Sequence, residues 1–69
     1  PDAGLLEVDV YDMLGRLVRK LLAEQRSAGP WYVDWDGRDQ RGQAAASGPY
    51  FIVIKAAERR HSMRVMLLR

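Results

Sequence analysis

The sequence predicts an all-β protein built as an antiparallel β-sandwich, and three neighbouring segments carry this prediction. Residues 31–35 alternate in side-chain character and end in Trp35, as a half-buried strand does. Residues 36–42 are rich in Asp and Gly, which favours a polar turn. After a connector of small residues, residues 50–55 are aromatic and β-branched, which favours a second strand. Strand, polar turn and strand in this order are typical of a hairpin or of a sandwich edge.

Two further strands are predicted at the ends of the chain. Near the N-terminus, Leu6, Val8 and Val10 alternate with polar or amphipathic residues, so one face of this strand is expected to be buried. A turn follows, in which Asp12 can accept from backbone amides and Gly15 can adopt positive φ. Residues 62–68 form the predicted last strand, which residues 58–61 connect to the strand before it.

Residues 14–25 are ambiguous from their pattern alone. Their large apolar residues recur at helical spacing and many of the others are good helix formers, which favours an amphipathic helix. Gly29 would serve as its C-terminal stop. Against this, a lone helix between sandwich strands is uncommon, and Gly15 would lie in its first turn. The residues leave both alternatives open.

Length and composition exclude several classes of protein. The 69 residues make one domain at most, and a chain of this size buries only about 60% of its unfolded surface. There is no cysteine, so neither a disulfide framework nor a cysteine metal site is possible. No apolar run approaches the roughly 20 residues of a membrane span. Residues 1–4 look like a turn rather than a native start, so we expect residues 1–69 to be one domain of a longer protein.

The charge pattern does not favour nucleic-acid binding. The net charge is +2, from 11 basic and 9 acidic residues. The basic residues are scattered, whereas a nucleic-acid binder of this size normally shows a dense basic face with interleaved aromatics. We therefore expect no nucleic-acid partner and interpret most charges as solvated.

We expect no catalytic, cofactor-binding or metal-binding residues. His61, the only histidine, has cationic neighbours, and no serine lies in a nucleophile elbow. The carboxylates of Asp34, Asp36 and Asp39 invite a calcium hypothesis, but the spacing lacks the full twelve-residue loop and its terminal Glu. The favoured interpretation is structural, with Asp36 bonding to amides of its own turn while Gly37 and Gly42 adopt unusual φ values.

The aromatic residues are interpreted mainly as core. Trp35 and Tyr50 are assigned to the core, because aromatics in strands of a small sandwich usually form it. Trp31 and Tyr32 lie nearer a strand start and are the better candidates for stacking on a sugar. A carbohydrate-binding appendage is accordingly the weakest of three functional alternatives.

Several sequence blocks together resemble a known bacterial family. They lie in a specific order between Leu6 and Arg69 and are residues 10–19, 28–29, 35–39, Gly42, 46–51 and 64–69. This order resembles the immunoglobulin-like (Ig-like) domain of the flagellar hook-capping protein and the type IX secretion C-terminal sorting domain. The resemblance implies an antiparallel Ig-like β-sandwich and makes residues 16–23 a strand with a bulge. The family's usual first strand, with its Asn-Pro-Phe-type motif, has no counterpart here, and Pro49 replaces a commoner aliphatic residue, which casts doubt on pairing at that strand's entrance.

The resemblance implies a role without catalysis. The leading prediction is a C-terminal sorting and surface-attachment domain that follows an upstream cargo and is recognised by an outer-membrane translocon, at the surface of a Gram-negative-type bacterium reached through the periplasm. The alternative is a structural module of an extracellular filament or hook cap, joined to a neighbouring subunit by strand addition. Expected partner-recognition residues are Arg64, Val65, Met66, Leu67, Leu68 and Arg69. Expected structural turn and core residues are Asp12, Gly15, Trp35, Asp36, Gly37, Gly42, Gly48 and Tyr50.

The absent first strand leads to an expectation about stability. Each large apolar side chain left uncovered forfeits roughly 1.5–3 kcal/mol, against a total stability of about 5–15 kcal/mol. We therefore expect the isolated chain to be unstable as a monomer and to be completed by a donor strand facing the row Leu6, Val8 and Val10, or its neighbour in the sheet.

Overall fold

The described part of the chain forms one antiparallel sheet of four strands. The structure is a computed structural model and describes residues 4–26, 34–56 and 59–68. The strands are β1 (Gly4–Tyr11), β2 (Leu17–Arg26), β3 (Gly48–Ala56) and β4 (Arg59–Leu67). Their order across the sheet is β2-β1-β3-β4, and every neighbouring pair is antiparallel. The predicted all-β, antiparallel class is confirmed, and the sheet is consistent with one layer of the predicted Ig-like sandwich.

Strand β2 settles the ambiguity of residues 14–25 through two irregularities in its pairing with β1. Val8 lies opposite Leu22 and Asp9 opposite Lys20, so Leu21 is an extra residue on β2. Val10 lies opposite Arg19 and Tyr11 opposite Leu17, so Val18 is a second extra residue on β2. Each extra residue shifts the alternation of faces by one position. The apolar residues of a doubly bulged strand consequently lose the period of two and imitate helical spacing.

The most buried side chains lie on β1, which together with β3 forms the middle of the sheet. Leu6, Val8 and Val10 are 4%, 2% and 0% exposed. On β3, Tyr50 and Val53 are also buried. The three β1 side chains are already buried within this chain, so a strand facing the β1 row would find little apolar surface to cover. Completion by a donor strand facing this row or its neighbour in the sheet stays a prediction. The predicted instability of the isolated monomer likewise stays a prediction, while the burial of the β1 row leads us to expect that the folded domain unfolds cooperatively.

Two strand boundaries differ from the prediction. Residues 31–33 of the predicted strand 31–35 lie outside the described residues, while Asp34 and Trp35 lie outside the strands. The Trp35 indole N–H donates to the Arg38 carbonyl oxygen at 2.9 Å, a hydrogen bond within the loop that contains both residues. Strand β4 begins at Arg59, three residues before the predicted start, and His61 is an exposed residue of this strand instead of the connection.

Candidate partner-binding edge

The two outer strands of the sheet, β2 and β4, differ in how their free edges are covered. On β2, the Gln40 backbone N–H donates to the Val18 carbonyl oxygen at 3.0 Å. The Gln40 side-chain Oε1 accepts from the Lys20 backbone N–H at 2.7 Å. One residue from a distant loop therefore occupies main-chain groups that an added strand would need. Together with the two bulges, this contact interrupts the β2 edge in its first half, at residues 18–20.

The outer edge of β4 has no such cover within residues 4–26, 34–56 and 59–68. Strand β4 pairs with β3 along its whole length, from Gly48 opposite Leu67 to Ala56 opposite Arg59. In this part of the chain, no loop contact like that of Gln40 reaches it. An edge of unpaired amides and carbonyls is a template for another strand.

A rigid turn holds Gln40 in place. Its ends are joined by a hydrogen bond from the Asp39 N–H to the Gln43 carbonyl at 2.8 Å. Asp39 Oδ1 accepts from the backbone amides of Arg41 and Gln43, both at 2.9 Å. Gly42 closes the turn at φ 84°, a conformation that glycine adopts without strain. The spacing of the acidic residues indicated for Asp39 only a possible calcium ligand and gave no signal of its positioning of Gln40.

A second turn of the same kind joins β1 to β2. The Asp12 N–H donates to the Arg16 carbonyl at 3.0 Å, and Asp12 Oδ1 accepts from the amides of Leu14 and Arg16, both at 2.9 Å. Gly15 has φ 83°. Both turns have the sequence Asp-x-x-Gly, so the recurring spacing is the signal that could have found the second one. Each turn is built by one carboxylate acting on its own backbone.

The Asp12 carboxylate is electrostatically stabilised in its charged form. The Arg16 backbone N–H donates to it, and the Arg16 side-chain Nε donates to Oδ2 at 2.8 Å. These hydrogen bonds, with that of Leu14, lower the pKa of Asp12 below its ordinary value. A lowered folded-state pKa gives a contribution to stability that is present above the unfolded pKa and is lost as pH falls through the folded pKa.

Substitution of Asp12 by Asn should therefore flatten the acid limb of the stability profile. Asn keeps one oxygen for the turn amides but does not titrate. As pH falls below about 4, the usual range of an aspartate, the urea midpoint of the wild-type chain should fall more steeply than that of Asp12→Asn. The matched control is Asp34→Asn, at an exposed aspartate. Parallel midpoint curves for wild type and Asp12→Asn would contradict the role given to this turn.

A third aspartate fixes the loop that carries Trp35 against β2. Asp36 Oδ1 accepts from the Arg38 backbone N–H at 3.0 Å and from Arg19 Nη1 at 3.1 Å. Gly37 has φ 77°, which matches the structural interpretation of this segment. No group of three potential metal ligands occurs among the described residues. Asp36 and Asp39 both accept from backbone amides of their own turns.

Trp35 and Tyr50 meet where this loop covers the sheet. Their rings are 5.1 Å apart at an interplanar angle of 70°, an edge-to-face arrangement. The Tyr50 hydroxyl donates to the Ala46 carbonyl at 2.6 Å. Tyr50 is buried, whereas Trp35, predicted as core, is half-buried because it lies in the covering loop. This pair attaches the loop that contains Gln40 to the sheet.

The predicted partner-recognition residues lie at the end of β4. Val65 and Leu67 are half-buried on one face, while Arg64 and Met66 are exposed on the other. Leu68 follows the strand and is 81% exposed; Arg69 lies outside the described residues. Pro49 lies opposite Met66 and Gly48 opposite Leu67, so pairing continues through the strand entrance despite the proline.

His61 and Ser62 do not form a pair of base and nucleophile. His61 and Ser62 are consecutive on β4 and therefore point to opposite faces of the sheet. The two side chains therefore cannot hydrogen bond to each other, as a nucleophile and its base must.

The described part of the chain contains no helix with the length and apolar character of a membrane span.

Comparison with known proteins yields one match. The sequence model of the family described as FlgD Ig-like domain matches residues 1–60. This match supports the hook-capping half of the resemblance, while the sorting-domain half stays a prediction. The matched family is structural and non-enzymatic. No curated protein and no solved structure matches the chain significantly.

Proposed function

The chain belongs to the FlgD Ig-like domain family, and on this premise we propose that it is a non-catalytic structural module of an extracellular bacterial assembly of the hook-cap kind. Its task is to join neighbouring subunits. The observation that carries the proposal is the asymmetry of the sheet, with Gln40 on the β2 edge and no equivalent contact on β4 in the described structure.

Strand addition is the mode of joining that this geometry favours. A strand from a neighbouring subunit would pair with the main chain of β4, and its side chains would cover those of β4. Met63 and Met66 are 46% and 58% exposed, which is apolar surface that such a strand removes from water. Main-chain pairing supplies affinity, and the side chains of β4 supply selectivity.

The sorting function is the second candidate, because its expected recognition element lies on the same strand. In that case β4 docks on a secretion translocon and the cargo lies upstream. Removal of residues 64–69 from a reporter fusion should then leave the cargo in the periplasm. Under the structural function the truncated fusion still reaches the surface but does not assemble.

Photo-cross-linking in the parent protein, in its own bacterium, tests the proposal. A photoreactive residue is placed at Ser62 on β4 and, as a matched control, at Ala23 on β2. Both are exposed and lie on the same face of the sheet. We expect a cross-link from position 62 to a subunit of an extracellular structure, and none from position 23. A cross-link from position 62 to a translocon would favour sorting; cross-links from position 23 alone would overturn the proposed edge.

A further inference from the structure

We infer that the strand added to β4 is acidic and runs antiparallel to it, as all neighbouring strands of this sheet do. Its carboxylates lie opposite Arg60 and Arg64, and its apolar side chains lie opposite Met63 and Val65. This inference rests on the proposed function and names the chemistry of its partner. It follows from the charges of β4 and from the residues that the register places in each row across the sheet.

The basic character of β4 is the first step. Four of its residues are basic or can become so, and none is acidic; the four are Arg59, Arg60, His61 and Arg64. None of the ion pairs described in the structure involves them. Two copies of β4 placed edge to edge would bring these cations together without a carboxylate between them. The occupant is therefore a different strand, not a second β4.

The row through Arg60 shows an excess of positive charge at the edge. Arg60 lies directly opposite Lys55, and Lys55 lies opposite Glu7. Like charges in directly opposite positions destabilise a strand pair. This row thus holds two cations and one carboxylate, and that carboxylate also accepts from Lys20 Nζ of the neighbouring row at 3.3 Å. A carboxylate on the other side of Arg60 would compensate the excess.

The row through Arg64 contains aromatic residues instead of an acid. Arg64 lies opposite Phe51, which lies opposite Tyr11. A groove of about 350 Å³ on this face is lined by both aromatic residues, by Arg60 and Ser62, and by Asp12, whose carboxylate pairs with Arg16. The guanidinium of Arg64 is exposed at the sheet edge. An incoming carboxylate can form a charge-assisted hydrogen bond with it.

The opposite face of β4 specifies apolar neighbours. Met63 lies opposite Ile52 and Val65 opposite Tyr50, so their rows continue the core of the sheet. The six positions of an antiparallel donor that face residues 65 to 60 of β4 are then, from the donor's N-terminus, apolar, acidic, apolar, polar, polar and acidic. The two acidic positions are four residues apart and therefore share one face, because side chains alternate along a strand.

A charge-swap experiment on the full chain tests this inference. The probe is a fluorescent peptide containing Val-Glu-Val-Thr-Thr-Glu, and its control carries Lys in place of both Glu residues. At low salt, wild type should bind the acidic peptide about tenfold more tightly, since two opposite-charge pairs replace two like-charge pairs. In Arg60→Glu/Arg64→Glu the preference should reverse. The matched variant Gln25→Glu/Arg41→Glu, whose exposed positions lie away from β4, should keep the wild-type preference.

Two results separate this inference from the function on which it rests. Equal affinities for both peptides, with β4 amides protected from exchange by each, would overturn the acidic pattern while the structural function stands. Binding of the acidic peptide without protection of β4 amides would overturn both. Unchanged thermal unfolding of the two double variants excludes misfolding as the cause of a changed preference.

Discussion

Replacement of Val8 by Asp is expected to abolish cooperative folding of the chain. Val8 is 2% exposed and lies between Leu22 on β2 and Ile54 on β3, both apolar. A carboxylate at this position finds no partner in its row, and burial of an unpaired charge costs several kcal/mol. The total stability of a domain is only about 5–15 kcal/mol. Loss of the urea transition and of amide dispersion would be the measured result.

The matched control introduces the same residue at an exposed site. Leu14 is 77% exposed in the turn after β1, so Leu14→Asp should change the free energy of unfolding by about 0.5 kcal/mol or less. A folded Val8→Asp variant with wild-type stability would contradict the placement of β1 at the centre of the core.

Replacement of Lys20 by Met is the second large effect. Asp9 is only 3% exposed, and its Oδ1 lies 3.1 Å from Lys20 Nζ. Without the lysine, this buried carboxylate loses its cation, which we expect to cost about 1–3 kcal/mol of unfolding free energy. The urea midpoint of the chain at neutral pH measures the loss.

The pH dependence of this contact has the opposite sign to that of Asp12. Hydrogen bonds to Asp9 first and to Glu7 second raise the pKa of Lys20 above its ordinary value. The contribution to stability is therefore fully present below the unfolded pKa of about 10.4 and is lost as pH rises through the folded pKa. Neutral pH lies in the stabilised range.

A double-mutant cycle controls the Lys20 prediction. In Asp9→Val/Lys20→Met the buried charge and its partner are removed together, so the double variant should be more stable than Lys20→Met alone. Lys55→Met, in the neighbouring row, controls for loss of a surface lysine. Equal destabilisation by Lys20→Met in the wild-type and Asp9→Val backgrounds would show that the two side chains do not interact.

Simple alternation made part of the fold predictable from the sequence. The pairing of β1 with β3 contains no bulge, so the apolar residues of both strands keep the alternation that predicts a strand. The first turn was predictable because Asp12 and Gly15 are residue types that turns favour. β2 has two extra residues opposite β1, and its pattern alone favoured a helix. Only the family resemblance corrected this, because a bulge depends on the partner strand and not on local propensity.

The candidate edge was less predictable than the fold. The apolar character of residues 64–69 and the resemblance predict a recognition element there, but neither indicates that β4 is an outer strand of the sheet. The contact of Gln40 with Val18 and Lys20 joins residues about 20 positions apart in sequence. Such a contact depends on how the loop packs over β2, for which single residues give no signal.

The most direct test of the account is amide hydrogen exchange, measured residue by residue on the free chain and on the chain with the acidic peptide bound. In the free chain, the Lys20 amide should be protected through Gln40, and Gln40→Ala should remove this protection. The outward amides of β4 should exchange rapidly until the peptide protects them. Protected outward amides on β4 in the free chain, together with rapid exchange at Lys20, would contradict the assignment of the open edge.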